Sequence, residues 1–588
     1  MSRGRIPAVE NAGPSARTGR ADSRTADLVL VALASAAVFG VLESTVLLAT
    51  ARLPVLNAPY KVSIASLWIA PAVNALFFVP LAVLLGLLIR PGLDRHGRLH
   101  GAAILFLVFS GVLAVFATAK VLHPVSALLV AIGATAVLAR TRVGSPAAMA
   151  GLARRHIGAA GVLVVAGVVV SLAWAPLAEA VAVRGLGAAR GGAMNVLFLV
   201  LDTVRRDRFF GELAASLTPA LDRRAGGGIR YTNAWSTSSW SLPTHGSLLT
   251  GLPAWEHGAH WPRLKLHSDV TTLPESFARA GYVTGAFSGN SAWVVPAYVG
   301  RGFARFRVYS TEDIARRTFY GRLLDRGLSA LGFHYSGRGR KAPALNRDVL
   351  DFVADHAERP FFAYVTYMDV NQAMHHAVRR HPFWKPLGTN DEAVAAYDRA
   401  LTELDGEIDA LLDELDGRGL LENTLVVVVS DHGQSFGAAL GDHPPAGHGT
   451  TLYAEQLRVP LFVLTPRALS HEVNEPVGID QVAATVLRLA EAGFDAVAWP
   501  GVHAPAQPVI ATLDYADHDE KAAVFDRWHV IARRANDSLS IEVYDYVADP
   551  HERNDLGRRH AAAETAERLL TAAGLFAESS RGRAAREP

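Results

Sequence analysis

The chain is 588 residues long, half of them hydrophobic, and its 57 Lys and Arg nearly balance 55 Asp and Glu, for a net charge of +2. That length exceeds one compact domain, and a mean hydropathy of +0.19 is high for a soluble protein, so a membrane part plus a large enzyme domain is the expectation. The near-neutral balance carries no general nucleic-acid footprint, and the absence of Cys excludes disulfides, thiolate zinc sites and a Cys nucleophile.

Residues 1–25 are polar, rich in small residues and basic through Arg3, Arg5, Arg17, Arg20 and Arg24, and they read as a disordered cytoplasmic tail. Five apolar runs follow: Leu28–Ala49, Ile64–Ile89, Ala102–Ala119, Val121–Ala139 and Ile157–Ala178. Most approach the roughly 20 residues that a bilayer-spanning helix needs, although Pro124 shortens the fourth. They predict an α-helical transmembrane domain of five spans over 26–181. Arg90, Arg95 and Arg98, then Arg140, Arg142, Arg154 and Arg155, fall in alternate loops. The positive-inside rule places those loops and the N-tail in the cytoplasm, in a bacterial-type inner or plasma membrane, and an odd number of spans delivers everything after residue 180 to the outside. Glu43 in the first span is costly in lipid, and its nearness to a helix end suits snorkelling to the interface.

A Gly/Ala-rich linker at 182–194 leads to Asn195–Leu201, apolar throughout and of strand length, which implies a parallel sheet covered on both faces. It ends at Asp202, at the carboxyl end of a strand, where open α/β sheets bind ligands. Phe361–Tyr367, Thr424–Ser430 and Val459–Leu464 are further strands. Leu401, Leu404, Ile408, Leu411 and Leu415 recur at helical spacing and are closed by Gly417 and Gly419, so the soluble half reads as an α/β sandwich over 195–557. Residues 310–345 are basic and irregular and read as an exposed, solvated insertion, with contact to anionic substrate or lipid as the alternative. The tail from Arg558 reads as helical and then disordered.

Three stretches carry chemistry. Ser241 opens an apolar helix start, two residues before Pro243, and the helix N-terminus would aim N–H groups at an anion there. Asp431-His432-Gly433 at a strand end is a candidate metal-ligand pair. His443 and His448, the latter within Gly447-His448-Gly449, place imidazoles where they can donate to an anion or move a proton.

With Val200-Leu201-Asp202-Thr203-Val204-Arg205-Arg206-Asp207, Ser241-Leu242-Pro243-Thr244-His245 and Ser247-Leu248-Leu249-Thr250-Gly251, Ser430-Asp431-His432-Gly433-Gln434, Gly447–Tyr453 with Leu457–Leu461, and Tyr544-Asp545 with Asp549-Pro550-His551-Glu552, the chain resembles the sulfatase/alkaline-phosphatase superfamily. The landmarks run in family order over nearly all of 195–556, and the five spans point to its membrane-anchored sulfatase-like hydrolases and transferases. The resemblance implies a sulfatase-like (alkaline-phosphatase-like) domain with a mixed, mainly parallel central sheet. It also implies one divalent metal ion (Mn, Zn, Ca or Mg) held by Asp202, Asp431 and His432, with Ser241 as both ligand and nucleophile and His448 near the leaving oxygen. His257, His443 and His375 are candidate substrate-binding residues, with His260 and His376 beside them.

The departures also carry information. His245 stands where the family's formylglycine-maturation motif has Arg, and is kept among the catalytic candidates. Asp202-Thr203 lacks the second acid of the usual pair, and Met368-Asp369-Val370-Asn371 lacks the family's Pro-His. A set of Asp, hydroxyl, Asp and His resembles the one-metal phosphotransferase branch, which includes lipoteichoic-acid synthases and phosphoethanolamine transferases. The expectation is therefore a membrane enzyme acting on phosphate (or sulfate) esters through Ser241, with a lipid-linked or glycan substrate in the cell envelope, contacts to membrane lipids and no nucleic acid. The rivals are a formylglycine sulfatase and an inactive membrane scaffold.

Overall fold

The computed structural model describes residues 14–50, 63–89, 94, 97–118, 122–211, 213–331, 339–377, 390–466, 469–492, 507–515, 518–535 and 538–576. They form two units: 1–177 together with 310–331, and 178–309 together with 332–588.

The first unit contains α1 (Pro14–Thr50), α2 (Ser66–Leu88), α3 (Arg98–Thr118), α4 (Pro124–Ala139) and α5 (Pro146–Arg184), the last running on into the second unit. Four of these, α1, α2, α3 and α5, are long and apolar enough to cross a membrane. The fourth expected span is a helix of 16 residues, ~24 Å at about 1.5 Å per residue against an apolar core of about 30 Å. Its start is set locally, because His123 caps it by accepting from the Val125 N–H and Pro124 takes the first turn. At the other end of the unit, α1 begins at Pro14, so 14–25 belong to the first helix and not to a disordered tail. Likewise α5 continues to Arg184, which shortens the expected linker.

Glu43 does not snorkel. It is fully buried, and its carboxylate accepts from Thr118 Oγ1 (2.8 Å), from the Phe319 backbone N–H (2.6 Å) and from Asn74 Nδ2 (3.5 Å). Three polar donors from separate segments satisfy the oxygens that lipid could not. The stretch that supplies Phe319 was expected as a solvated loop. Residues 310–331 instead form the helices Thr311–Ala315 and Phe319–Ala330 within this unit, because Tyr320 buries its ring against Phe77 and Phe78 and the partly buried Phe319 packs against Tyr320.

The second unit is built on a sheet of β1 (Asn195–Leu201), β2 (Ile229–Trp235), β3 (Val283–Ser288), β4 (Arg305–Arg307), β5 (Phe361–Tyr367), β6 (Thr424–Ser430), β7 (Arg458–Leu464), β8 (His471–Val473) and β9 (Val477–Gly478). Their order is β4-β3-β5-β1-β6-β7-β2-β8, with β9 also paired to β2. From β4 to β6 the pairing is parallel, whereas β7 is antiparallel to both β6 and β2, so the sheet is mixed and mainly parallel, as expected. Every residue of β1 is buried because alternate side chains enter different cores. Val196, Phe198 and Val200 face one core with the Ser241–Thr250 and Ile479–Ala492 helices. Leu197, Leu199 and Leu201 face the other, which is closed by Leu401, Leu404, Ile408, Leu411 and Leu415 of the Asn390–Gly417 helix. A separate antiparallel sheet of β10 (Val509–Tyr515), β11 (His518–Phe525), β12 (Trp528–Ala535) and β13 (Ser538–Asp545) carries the helix Ala561–Ala572.

Candidate active site

Strand register assembles the site. Leu201 pairs with Ser430 on one side and Tyr367 on the other, while Ser288 pairs with Thr366. The next residues, Asp202, Asp431, Met368–His375 and Asn290, therefore emerge together at the carboxyl end of four parallel strands. Thr203 turns the chain away from β1 with φ of 65°, a strained value for a β-branched residue. The turn is held on both sides by Tyr397, whose hydroxyl donates to the Thr203 carbonyl (3.0 Å) and accepts the Arg205 N–H (2.8 Å).

Ser241 is the first residue of its helix, after Trp240 in extended conformation. Its Oγ lies 3.3 Å from Asp202 Oδ2 and 3.2 Å from His432 Nε2. Asp202, Asp431 and His432 each offer a ligand atom, all within 4.8 Å of one another, and all three side chains are fully buried. Burial and the neighbouring Asp431 carboxylate push the Asp202 carboxyl well above the usual range. Burial also opposes charge on Asp431, but the His432 and His245 imidazoles and the Thr203 N–H outweigh it and hold that carboxyl low.

The donor set fits a divalent cation. Asp431 Oδ2 is sealed from solvent with no hydrogen-bond donor, while Asp431 Oδ1 already accepts from the Thr203 and His432 N–H groups. His432 Nδ1–H donates to the Gly433 carbonyl (2.9 Å), which leaves the Nε2 lone pair facing the cluster. Two carboxylates and an imidazole lone pair around one buried point are a ligand arrangement for a hard or borderline cation.

Two residues that sequence reading missed hold Asp202. Asn290 Nδ2 donates to Oδ2 (2.8 Å) and Asn371 Nδ2 to Oδ1 (2.9 Å). Asn371 lies in the stretch singled out for lacking a His, and its amide supplies a donor to the carboxylate there.

His245 sits behind Asp431, with Nε2 3.4 Å from Oδ2. The Tyr364 hydroxyl is 2.6 Å from His245 Nδ1. Burial, with Asp431 adding to it, raises that hydroxyl well above its ordinary value. It therefore remains a donor to Nδ1, and the His245 Nε2–H faces Asp431 Oδ2 without closing a hydrogen bond to it. His245 is thus placed to orient Asp431, and it is not among the residues lining the cavity in front of Ser241.

That cavity, about 430 Å³, is lined by Ser241, Asn290, Trp293, Asn371, Gln372, His375 and His448 among others. His448 Nδ1 is 2.8 Å from Gln434 Oε1, and its ring lies over His432 at 4.7 Å. Desolvation and the imidazoles of His432 and His375 keep His448 neutral, well below the usual histidine range.

Two expected substrate residues stand elsewhere. His257 is fully buried beneath the Ser241–Thr250 helix, its Nε2–H donating to the Pro243 carbonyl (3.0 Å) and its Nδ1 accepting from the Ala259 N–H (3.0 Å). Gly246 makes room for it: a Cβ there would lie 2.4 Å from His257 Cε1. Burial drives His257 down to about 3, so it is neutral. His443 stacks on Tyr453 at 3.5 Å and is tied to Glu455 (3.2 Å) and to the Glu552 carbonyl (3.0 Å), which commits both ring nitrogens to structure. His260 is likewise outside the cavity lining, and the side chain of His376 lies outside the described residues.

Comparison with known proteins shows which family the chain belongs to. The family model described as Sulfatase matches residues 194–492, just over half of the chain. Human N-sulphoglucosamine sulphohydrolase is 24% identical over 318 residues, covering 48% of this chain and 57% of its own length. N-acetylgalactosamine-6-O-sulfatase of Bacteroides thetaiotaomicron is 23% identical over 451 residues, covering 58% of this chain and 85% of its own length. Among solved structures, phosphonate monoester hydrolase SpPMH from Silicibacter pomeroyi is 19% identical with a TM-score of 0.49, covering 65% of this chain and 94% of its own. The chain thus spans little more than half of the human relative's length. The family match begins at the start of β1 and extends through the helix after β9, taking in Asp202, Ser241, Asp431, His432 and His448, and the chain is accordingly a member of the sulfatase family.

Proposed function

We propose that this sulfatase-family protein is a membrane-bound hydrolase or transferase of phosphate (or sulfate) esters that works outside the cytoplasm with Ser241 as nucleophile. The observation that carries the reading is the position of Ser241 Oγ, within 3.3 Å of two groups of the candidate metal cluster and at the wall of the cavity. A divalent ion held by Asp202, Asp431, His432 and Ser241 would lower the hydroxyl's pKa and neutralise the charge on the ester oxygens. Ser241 Oγ forms its bond to phosphorus as the ester P–O bond breaks, its proton going to Asp202 while the departing alcohol takes one from water in the cavity. Water or an acceptor hydroxyl then attacks phosphorus as the P–Oγ bond breaks, giving its proton to neutral His448, and Asp202 returns its proton to Ser241 Oγ. Gln434 orients His448, while Asn290 and Asn371 keep Asp202 aimed at the serine. The intact donor set argues against an inactive scaffold.

Five crossings are supported within the first unit. Thr118, at the end of α3, meets Glu43 near the end of α1, whereas Arg154 of α5 pairs with Asp27 near the start of the α1 span. α4 would then supply the return across the bundle despite its brevity. With the N-terminus cytoplasmic, the catalytic domain emerges outside, where lipid-linked or envelope-glycan esters are the accessible substrates.

A second reading, sulfate-ester hydrolysis by formylglycine made from Ser241, is favoured by relatives that are named as sulfatases. Mass analysis of the Ser241 peptide from the native membrane separates the two. Serine with a phosphoryl or phospho-alkyl adduct supports phosphoryl transfer, and loss of two hydrogens at Ser241 overturns it in favour of the sulfatase.

A further inference from the structure

The helix Phe319–Ala330 belongs by sequence to the catalytic half but by packing to the membrane unit. Its first turn is deeply engaged. Tyr320 Oη donates to the Ser110 carbonyl (2.9 Å), and its ring contacts Phe77 at 4.9 Å and Phe78 at 5.2 Å. Ser110 lies eight residues before the end of α3, ~12 Å along the axis at about 1.5 Å per residue, so Tyr320 reaches below the end of a candidate span.

Beyond that turn the same stripe comes free of the bundle. Leu323, Leu324, Leu328 and Leu331 fall within less than half of the helix circumference around the direction of Tyr320, and they are 50%, 48%, 40% and 74% exposed. Arg322, Asp325, Arg326 and Ser329 occupy the opposite face, with Asp325 paired to Arg316 at 2.6 Å. A helix whose leucine face is bare and whose other face is charged needs an apolar partner on one side only.

We propose that residues 319–331 form an interfacial helix lying in the outer leaflet of the bilayer, with Leu323, Leu324, Leu328 and Leu331 against acyl chains. Continuity selects lipid as the occupant. The leucine stripe prolongs the Tyr320 contact with α2, and Leu76 of α2 and Leu42 of α1 carry exposed apolar surface at the same end of the bundle, 73% and 45% exposed. Arg326 is exposed on the flank and suits an anionic headgroup, while Arg316 is held by Asp325 and Arg322 by the Ala117 carbonyl at the end of α3. The Glu43 carboxylate, fixed by Thr118 and Asn74, receives the Phe319 N–H and pins the helix start to the spans. The catalytic half would then be joined to the membrane at two points in sequence, α5 and this returning helix. The inference rests on the membrane reading of α1–α5.

The chain has no Cys, so single-cysteine variants report one position each. Full-length Leu324→Cys, Leu328→Cys and Arg326→Cys, with Leu76→Cys as a control within α2, are labelled with a fluorophore in vesicles of phosphatidylcholine and phosphatidylglycerol. Quenching by doxyl-labelled lipid is compared with quenching by aqueous iodide. The expected result is lipid quenching several-fold stronger at 324 and 328 than at 326, with iodide giving the reverse order. If 324 and 328 are quenched by iodide and not by lipid while 76 remains lipid-quenched, the helix is not interfacial and the proposal falls alone. If both are shielded from both quenchers, a protein surface or a second copy covers the leucines, which also overturns it. If 76 itself escapes the lipid quencher, the membrane reading fails and the proposal goes with it.

Discussion

His257→Gln isolates the cost of charging the imidazole beneath the Ser241–Thr250 helix. His257 sits near 3 in the folded chain because burial removes water from a ring whose two nitrogens serve Pro243 and Ala259, whereas its ordinary value is 6.5. The folded value is depressed, so the unfolded chain takes up the proton first. Stability from this group is whole above pH 6.5 and is lost as pH falls toward 3. Each pH unit in that window costs about 1.4 kcal/mol, or roughly 3 kcal/mol between pH 6.5 and 4.5. Glutamine keeps an N–H donor for the Pro243 carbonyl but has no proton to gain. Urea unfolding of the full-length protein in detergent, followed by tryptophan fluorescence at both pH values, should show the wild type losing that much more than the variant. Other titrating groups contribute equally to both proteins and cancel. Parallel pH dependences would refute the reasoning, since His257 would then be protonated in the folded state or open to water.

Three further outcomes are expected. Asn290→Ala or Asn371→Ala removes one donor from Asp202 and should weaken divalent-metal binding by about 10- to 100-fold, read by titration calorimetry on protein whose melting profile is unchanged. Gly246→Ala places a methyl 2.4 Å from His257 Cε1. It should cost about 1–3 kcal/mol of stability and lower ester hydrolysis with it, because the clash lies directly under the helix that carries Ser241. Stripping metal with a chelator should abolish hydrolysis and lower the melting temperature, with both restored by a divalent ion; stabilisation is about 2.7 kcal/mol when free ion is 100-fold above its dissociation constant. An unchanged melt in chelator would mean that Asp202, Asp431 and His432 do not bind an ion in the folded chain.

Much of the catalytic half was legible because its signals are local. A run apolar on both faces can only be buried, so β1, β5 and β6 were readable to the residue, and β7 within one. Asp202 and the Asp431-His432 pair were marked by where those runs stop. The strands β2 and β3 carry polar residues or glycine and went unread, and with β3 went Asn290, which lies two residues past its end. The C-terminal sheet went unread apart from the Tyr544-Asp545 landmark at the end of β13, since β11 and β12 mix charges with alanine. Histidines were the least legible class. The same residue type faces the cavity at 448, props a helix at 257 and stacks on a tyrosine at 443, and nothing within a few residues of each distinguishes them.

The apolar helices, the buried parallel strands, and the acids, imidazole and hydroxyl at their ends follow from residue type and spacing along a few turns of chain. Which partners those groups meet follows from the way distant segments pack. Glu43 became a buried acceptor because a helix almost 280 residues later returns to it, and Asp202 is aimed by amides 88 and 169 residues away. A buried carboxylate must find donors wherever the fold brings them, and the identity of those donors is a property of strand order and helix packing, which no local pattern encodes.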